Sequence, residues 1–178
     1  MDDLATYILD LVQNSITANS SMIKVSIVED DRYHLIIQDN GIGMDEMTLQ
    51  KASSPFFSTR KTRKIGLGLS MIRMLSEQTE GTFNLSSHVN QGTKLDVTFD
   101  HNHIDMPPLG DFGDTVVMIA IHQDVDEFIF TYKKNEKVFT FQLSEIKKML
   151  GETLNDTHII NYLKQYINQE INQVRGIK

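Results

Sequence analysis

The 178-residue chain has no cysteine, no tryptophan and only three prolines. Without cysteine, disulfide staples and thiolate metal centres are excluded, and a reducing cytoplasm is the compartment this fits. No apolar run is long enough to span a bilayer. The acidic start, Met1-Asp2-Asp3, carries no basic and apolar leader, so no secretory signal is expected. Positive charge is also scarce. Seventeen Lys and Arg stand against twenty-four Asp and Glu, for a formal charge of −7. General nucleic-acid binding needs a basic surface and is not expected. The basic run Arg60-Lys61-Thr62-Arg63-Lys64 is the local exception.

What is present is a 40% apolar fraction, enough for an ample core. Asp2 or Asp3 caps a first helix running to about Ala18, with Leu4, Ile8 and Leu11 at helical spacing. Asp10 and Asn14, four apart, share one face of it. Two readings stand for this pair. It is either a hydrated helix side, or an amide oxygen offered to Mg²⁺ with a carboxylate one turn earlier to orient water or a hydroxyl. Strands are expected over Met22 to Val28 and from Tyr33 to Ile37, joined by a hairpin. The second empties into Asp39-Asn40-Gly41-Ile42-Gly43-Met44. There one carboxylate is delivered to a fixed point and glycine lets the backbone turn sharply. Such a carboxylate accepts a hydrogen bond from a purine amino group, although Asp-Asn-Gly is equally an ordinary turn.

A short helix over Asp45 to Ala52 is expected next, then a loop from Ser53 to Ile65 containing Pro55 and the adjacent Phe56 and Phe57. Gly66-Leu67-Gly68-Leu69-Ser70 leads into a helix over Met71 to Gln78. Glycines before a helix leave N–H groups pointing outward, which suits a phosphate or makes a plain turn. Lysine and threonine do not follow in P-loop order. Strands over Gly81 to Ser87 and Thr93 to Phe99 close the unit.

This succession resembles the Bergerat-fold (GHKL) ATP-binding superfamily, which contains DNA gyrase, mismatch-repair ATPases, bacterial histidine kinases and anti-sigma serine kinases. The resemblance covers about residues 1 to 100. Asn14-Ser15-Ile16, with Ala18 and Ile23 to Val25, is similar to the mismatch-repair first box. Ser54-Pro55-Phe56-Phe57-Ser58-Thr59-Arg60 followed by Gly66-Leu67-Gly68-Leu69-Ser70 is closer to a histidine-kinase catalytic domain. It implies an α+β fold, a two-layer α/β sandwich, with ATP and Mg²⁺ as cofactors. By the resemblance, Asn14 chelates Mg²⁺ through its amide oxygen and Asp39 bonds the adenine amine. Gly41 and Gly43 line the base pocket, Gly66, Leu67 and Gly68 meet the phosphates, and Thr93 joins the adenine-side network. Residues from about Ser53 to Ile65 form a lid, whose cationic run meets the triphosphate.

Three departures bear on the chemistry. Hydrolytic members carry Glu where this chain has Asp10, one methylene shorter, which moves any water it positions. Lys64 stands where the histidine-kinase box has another glycine; it can reach the terminal phosphate but stiffens the loop. No phospho-acceptor histidine or dimerising hairpin precedes the first helix, so a complete sensor kinase is not expected.

Residues 101–113, with Pro107 and Pro108, read as a stiff connector. His101 and His103 lack a third partner and are expected as surface residues rather than metal ligands. Residues 114–178 read as a small α+β domain. It has a buried strand over Val116 to Ile121, a hairpin of Phe128 to Tyr132 with Val138 to Gln142, a short helix ended by Gly151, and a last helix capped by Asn155 or Asp156. The apolar stripe of that helix (Ile159, Leu163, Ile167, Ile171, Val174) is expected to pack on the hairpin or the first domain, not to form a dimer seam. No catalytic constellation is visible there. The chain looks like short bacterial ATP-binding proteins of the superfamily, some sharing the Ile104 to Asp111 connector pattern. An ATPase or protein kinase acting on a separate partner protein, with a homodimer allowed, is the first expectation. An ATP-gated binding switch without turnover is the alternative, and a DNA-remodelling subunit is a weaker third.

Overall fold

The computed structural model describes residues 3–52 and 67–177. The expected lid, including Lys64, and Gly66 lie outside the described residues. Helix α1 (Leu4–Thr17) is capped by Asp3, whose carboxylate accepts from the Thr6 N–H at 2.8 Å. Strands β1 (Met22–Glu29) and β2 (Tyr33–Asp39) follow, then α2 (Glu46–Ala52), α3 (Leu67–Gln78), β3 (Phe83–His88) and β4 (Gly92–Phe99). The chain continues with α4 (Phe112–Ala120), β5 (Glu127–Lys134), β6 (Lys137–Gln142), α5 (Leu143–Leu150), a 3-10 turn at Gly151–Asn155 and α6 (Thr157–Arg175). Helix α3 therefore starts at Leu67, earlier than the Met71 expected, so Leu67 and Gly68 occupy its first turn rather than a loop before it.

The strands form one six-stranded mixed sheet in the order β3-β4-β2-β1-β5-β6. Strand alternation decides which face is covered. Ile23, Val25 and Ile27 of β1, Leu35 and Ile37 of β2, and Phe128, Phe130 and Tyr132 of β5 are buried on the same side. Helices α3, α1, α4 and α6 lie across that side in the order of the strands beneath them. The opposite residues, such as Lys24, Gln38 and Thr140, leave the second face to water. The fold is a two-layer α+β sandwich.

Val116 to Ile121, expected as a strand, instead forms the second half of α4 through Ala120, with Ile121 as its C-cap. The helix is sandwiched between α1, α6 and the sheet, so it is apolar nearly all round and shows no helical period to read. Its start is set by Asp111, whose carboxylate accepts from the Asp114 N–H, and by Gly113, where a Cβ would lie 2.2 Å from the Lys164 carbonyl oxygen.

Residues 114–178, expected as a separate small domain, add β5 to β1 in parallel and share one core with the first hundred residues. Two contacts weld the halves. The Leu4 and Ala5 N–H groups, orphans of the first helical turn, donate to the Pro108 and Leu109 carbonyls at 3.0 and 2.9 Å. At the far end of β1, buried Glu29 accepts from the Tyr132 hydroxyl at 2.5 Å, Lys134 Nζ at 2.8 Å and Arg175 Nε at 2.9 Å. The stripe Leu163, Ile167, Ile171, Val174 is buried in this arrangement, facing α4 and the β5–β6 hairpin.

Candidate functional site

Between α1, β2, β4 and α3 lies a cavity of about 220 Å³. Its walls are mostly apolar: Leu11, Ile37, Ile42, Met44, Leu69 and Leu95 among them. Its polar side chains are few and come from distant parts of the chain: Asn14, Ser15, Thr17, Asp39, Thr48 and Thr93. An apolar slot with a small number of placed polar groups is the usual form of a small-ligand site.

Asp39 ends β2, and its carboxylate is held from three sides. Oδ2 accepts from the Ser15 hydroxyl at 2.7 Å, and Oδ1 accepts from the Gly41 N–H at 2.9 Å and the Thr93 N–H at 3.2 Å. An ionised carboxylate has about four acceptor positions, so one is left for a ligand donor. The three donors come from α1, the turn after β2, and β4, so the carboxylate is in place only when all three elements are.

The turn after Asp39 is stitched to both neighbours. Its Ile42 N–H donates to the Ala18 carbonyl at the end of α1, and the Ile42 carbonyl accepts from the Asn90 N–H between β3 and β4. Ser87, buried in β3, accepts from the Met44 N–H at 2.9 Å and donates to the Gly92 carbonyl at 2.8 Å. Its oxygen also lies 2.9 Å from the Thr93 hydroxyl. Two glycines make this closeness possible. Gly43 has φ +63° and a Cβ there would lie 2.0 Å from the His88 carbonyl oxygen. Gly92 has φ +91° and a Cβ would lie 2.0 Å from the Asp39 carbonyl oxygen. Gly43→Ala is therefore expected to push the β2 turn off the β3–β4 turn. It should lower stability by about 2 kcal/mol and weaken ligand binding in parallel, as thermal unfolding and titration calorimetry of the variant would register.

Of the residues singled out in the sequence, Asn14, Asp39, Gly43 and Thr93 line the cavity together. Gly41 is not among the lining residues; its N–H donates to Asp39, and a Cβ there would lie 2.7 Å from the Ala18 carbonyl oxygen. Asp10 is exposed and is not among the lining residues; it packs beside Gly68, whose hypothetical Cβ would lie 3.4 Å from the Asp10 Cβ. Gly68 thus allows α3 to lie close against α1 just beyond the cavity. Among the described residues no group of three His, Cys, Asp or Glu is placed to hold a metal, and His101 and His103 do not combine into one. His101 instead stacks at a tilt against Tyr33, ring centroids 5.3 Å apart.

In the sequence Ser15 stands within the Asn14-Ser15-Ile16 box but carries no site role of its own, and neither do Ser87 and Thr48. The first had a readable signal: a serine on the buried stripe of an amphipathic helix, directly after Asn14, needs a partner. For Ser87 and Thr48 there was none, because a strand or helix serine or threonine is unremarkable until its neighbours are known.

A family model described as histidine kinase-, DNA gyrase B-, and HSP90-like ATPase matches residues 1–103. Sporulation kinase B of Bacillus subtilis (strain 168) is 33% identical over 94 residues, covering 51% of this chain and 22% of the kinase. Sporulation kinase A of the same organism is 27% identical over 101 residues, covering 55% of this chain and 16% of the kinase. The chain thus spans about a fifth or less of the length of these relatives. Among solved structures, the N-terminal domain of a DNA repair protein aligns over 86% of this chain and 58% of its own, with 17% identity and a TM-score of 0.56. That is a likeness of fold, and its extent reaches past residue 103 into the C-terminal strands. The catalytic domain of the histidine kinase ThkA covers 53% of this chain and 64% of its own at 26% identity, TM-score 0.42.

Proposed function

The chain belongs to the histidine kinase-, DNA gyrase B-, and HSP90-like ATPase family, and from that premise we propose that it binds Mg·ATP in the cavity and transfers or hydrolyses the terminal phosphate in bacterial regulation. The carrying observation is the triply held Asp39 carboxylate at the wall of an apolar slot that also contains Asn14. An acceptor-only group in a fixed direction selects a base that offers an amino donor, and apolar walls suit the faces of a purine.

The donor set fits magnesium in one particular way. Asn14 supplies a single amide oxygen, and no carboxylate cage accompanies it among the described residues. Mg²⁺ in nucleotide sites keeps most of its ligands as waters and phosphate oxygens, so one protein oxygen is sufficient. Bound there, the metal would neutralise phosphate charge, which is most of what phosphoryl transfer asks of a protein. The N-terminal part of α3, where Gly68 packs beside Asp10, is assigned to the phosphate tail, since a helix N-terminus suits an anion. Lys64 and Gly66 are assigned to that tail, and Gly41 and Thr93 to the base side. Asp10 is assigned as the tentative orienter of water or an acceptor hydroxyl. The reaction partner is a separate protein, modified in the manner of a histidine-kinase-like or anti-sigma-like kinase, and the compartment is the cytoplasm. Among the described residues no helix is long and apolar enough to cross a membrane.

A second reading is an ATP-gated switch with little turnover. Two observations favour it: the exposed Asp10 stands off the cavity, and the first turn of α1 is bonded to the connector, so the nucleotide helix is mechanically tied to the C-terminal segment. One experiment separates the readings. The chain is incubated with γ-labelled ATP and magnesium, with and without a cell extract, beside Asn14→Ala. Released phosphate identifies an ATPase, label on another protein identifies a kinase, and tight binding with neither identifies the switch. Asn14→Ala is expected to bind ATP at least about tenfold more weakly with magnesium present and to lose the difference made by adding EDTA. Wild-type ATP binding with unchanged magnesium dependence in that variant would remove Asn14 from the site.

A further inference from the structure

Helix α6 spans nineteen residues, about 28 Å at 1.5 Å per residue. Its buried stripe is centred on Leu163, Ile167, Ile171 and Val174. At 100° per residue its three charged residues do not point opposite that stripe, where charges usually gather on a solvent-facing helix. They border it. Lys164 pairs with Asp114, Arg175 with Glu29, and Glu170 is half-buried. The outward arc carries amides instead: Asn161, Gln165, Gln169, Asn172 and Gln173, all exposed. Beside them two tyrosines stack along the helix, Tyr162 at 65% and Tyr166 at 40% exposure, ring centroids 6.4 Å apart and nearly parallel.

We infer that this outward face of α6 is a self-association surface, taking the same face of a second copy of this chain in a two-fold antiparallel pair. It goes beyond the nucleotide chemistry and does not rest on it. Three properties single out a second copy as the occupant. Depletion of charge together with exposed tyrosine is the composition of an interface centre rather than of a solvated surface. Each amide is both donor and acceptor, so a face of amides is satisfied by an identical face, whereas a charged partner would find no counter-charge on it. Two chains of charge −7 repel over most orientations, and they approach at least cost through a face whose centre carries no carboxylate and whose nearest cation, Lys137 on Gln173, lies at its edge. Tyr166 is anchored for this role by an edge contact with Phe139 of β6, ring centroids 6.2 Å apart.

The test is sedimentation equilibrium of the full chain over a concentration series, with two doubly substituted variants. Gln165→Glu with Gln169→Glu places negative charges at the middle of the face, and Gln165→Lys with Gln169→Lys places positive ones. The parent chain is expected to dimerise. Each variant alone should associate at least about tenfold more weakly, while an equimolar mixture of the two should recover association. Circular dichroism and ATP affinity should be unchanged in both, since these side chains are exposed and far from the cavity. A parent chain that stays monomeric at its highest soluble concentration overturns the inference. So does a dimer that the substitutions leave intact, or a mixture that fails to recover.

Discussion

Asp39→Asn is expected to weaken ATP binding by about 100-fold or more while leaving the chain folded. An asparagine has one acceptor oxygen where the carboxylate has two. The backbone N–H groups of Gly41 and Thr93 both point at Oδ1, so the amide oxygen must stay there to satisfy them. The amide nitrogen is then forced into the place of Oδ2, against the Ser15 hydroxyl and the open acceptor position. The serine can rotate and accept. A base amino group cannot, so donor meets donor. Ser15→Ala leaves the carboxylate charged but unbraced on one side, and its expected loss is nearer tenfold, about the value of one hydrogen bond to a charged group. Titration calorimetry of the two variants beside the parent, with thermal unfolding as a control, decides the matter. Equal affinity in the parent and Asp39→Asn would mean that the nucleotide base does not sit on this carboxylate.

Replacing Glu29 by alanine is expected to lower stability by about 3 kcal/mol, a fall in Tm of about 6–12 °C for a chain of this size. Its carboxylate lies under the junction of β1, β5 and α6, accepting from Tyr132, Lys134 and Arg175 at once. Removing it strands two cations and a buried phenol. The figure belongs at the low end for breaking a buried ion pair because Lys134 and Arg175 keep some contact with water, at 33% and 24% side-chain exposure. Burial by itself would raise the carboxyl pKa, but the hydrogen bonds from Lys134, Tyr132 and Arg175 outweigh it and hold the group below its usual 4.5. The sign of the pH dependence follows. A carboxyl with a depressed folded-state pKa contributes stability above its unfolded value and loses it as the pH falls through the folded one. Parent and Glu29→Gln should therefore differ most near neutrality and converge as the pH falls below 4.5 and through the depressed folded-state pKa. Tyr132 works in the opposite direction. Burial, with the adjacent Glu29 charge, pushes its phenol well above 10.0, so its contribution holds below that value and drains away as the pH climbs past it. Chemical denaturation at acid, neutral and alkaline pH measures both arms. A Glu29→Gln variant with the parent's acid profile would show that the cluster carries no linkage.

Both predictions turn on side chains of very different legibility. Asp39 was readable because its message is local: an apolar strand followed by glycines states the turn, the acid and their order in a few consecutive residues. The same holds for Asp10 and Asn14 sharing a helix face, for the Asp3 and Asp156 caps, and for the alternation that fixes which side of each strand is buried. These are relations within about one turn or one strand, where backbone geometry alone dictates what lies next to what. Resemblance then joined the local pieces into one ATP-binding fold.

What the tertiary structure decided was everything in which distant residues share one neighbour. Val116 to Ile121 reads as a strand when taken alone, and only packing against α1, α6 and the sheet makes a largely apolar helix the better solution. The seam at residues 101–113 looks like a boundary in composition, yet β5 pairs with β1 across it because the open edge of β1 and a second apolar face cover each other. Ser15 and Thr93 converge on Asp39, and Tyr132, Lys134 and Arg175 on Glu29, from positions up to 146 residues apart. No periodicity encodes such a meeting, since each partner is chosen by packing and by the cost of burying an unpaired polar group.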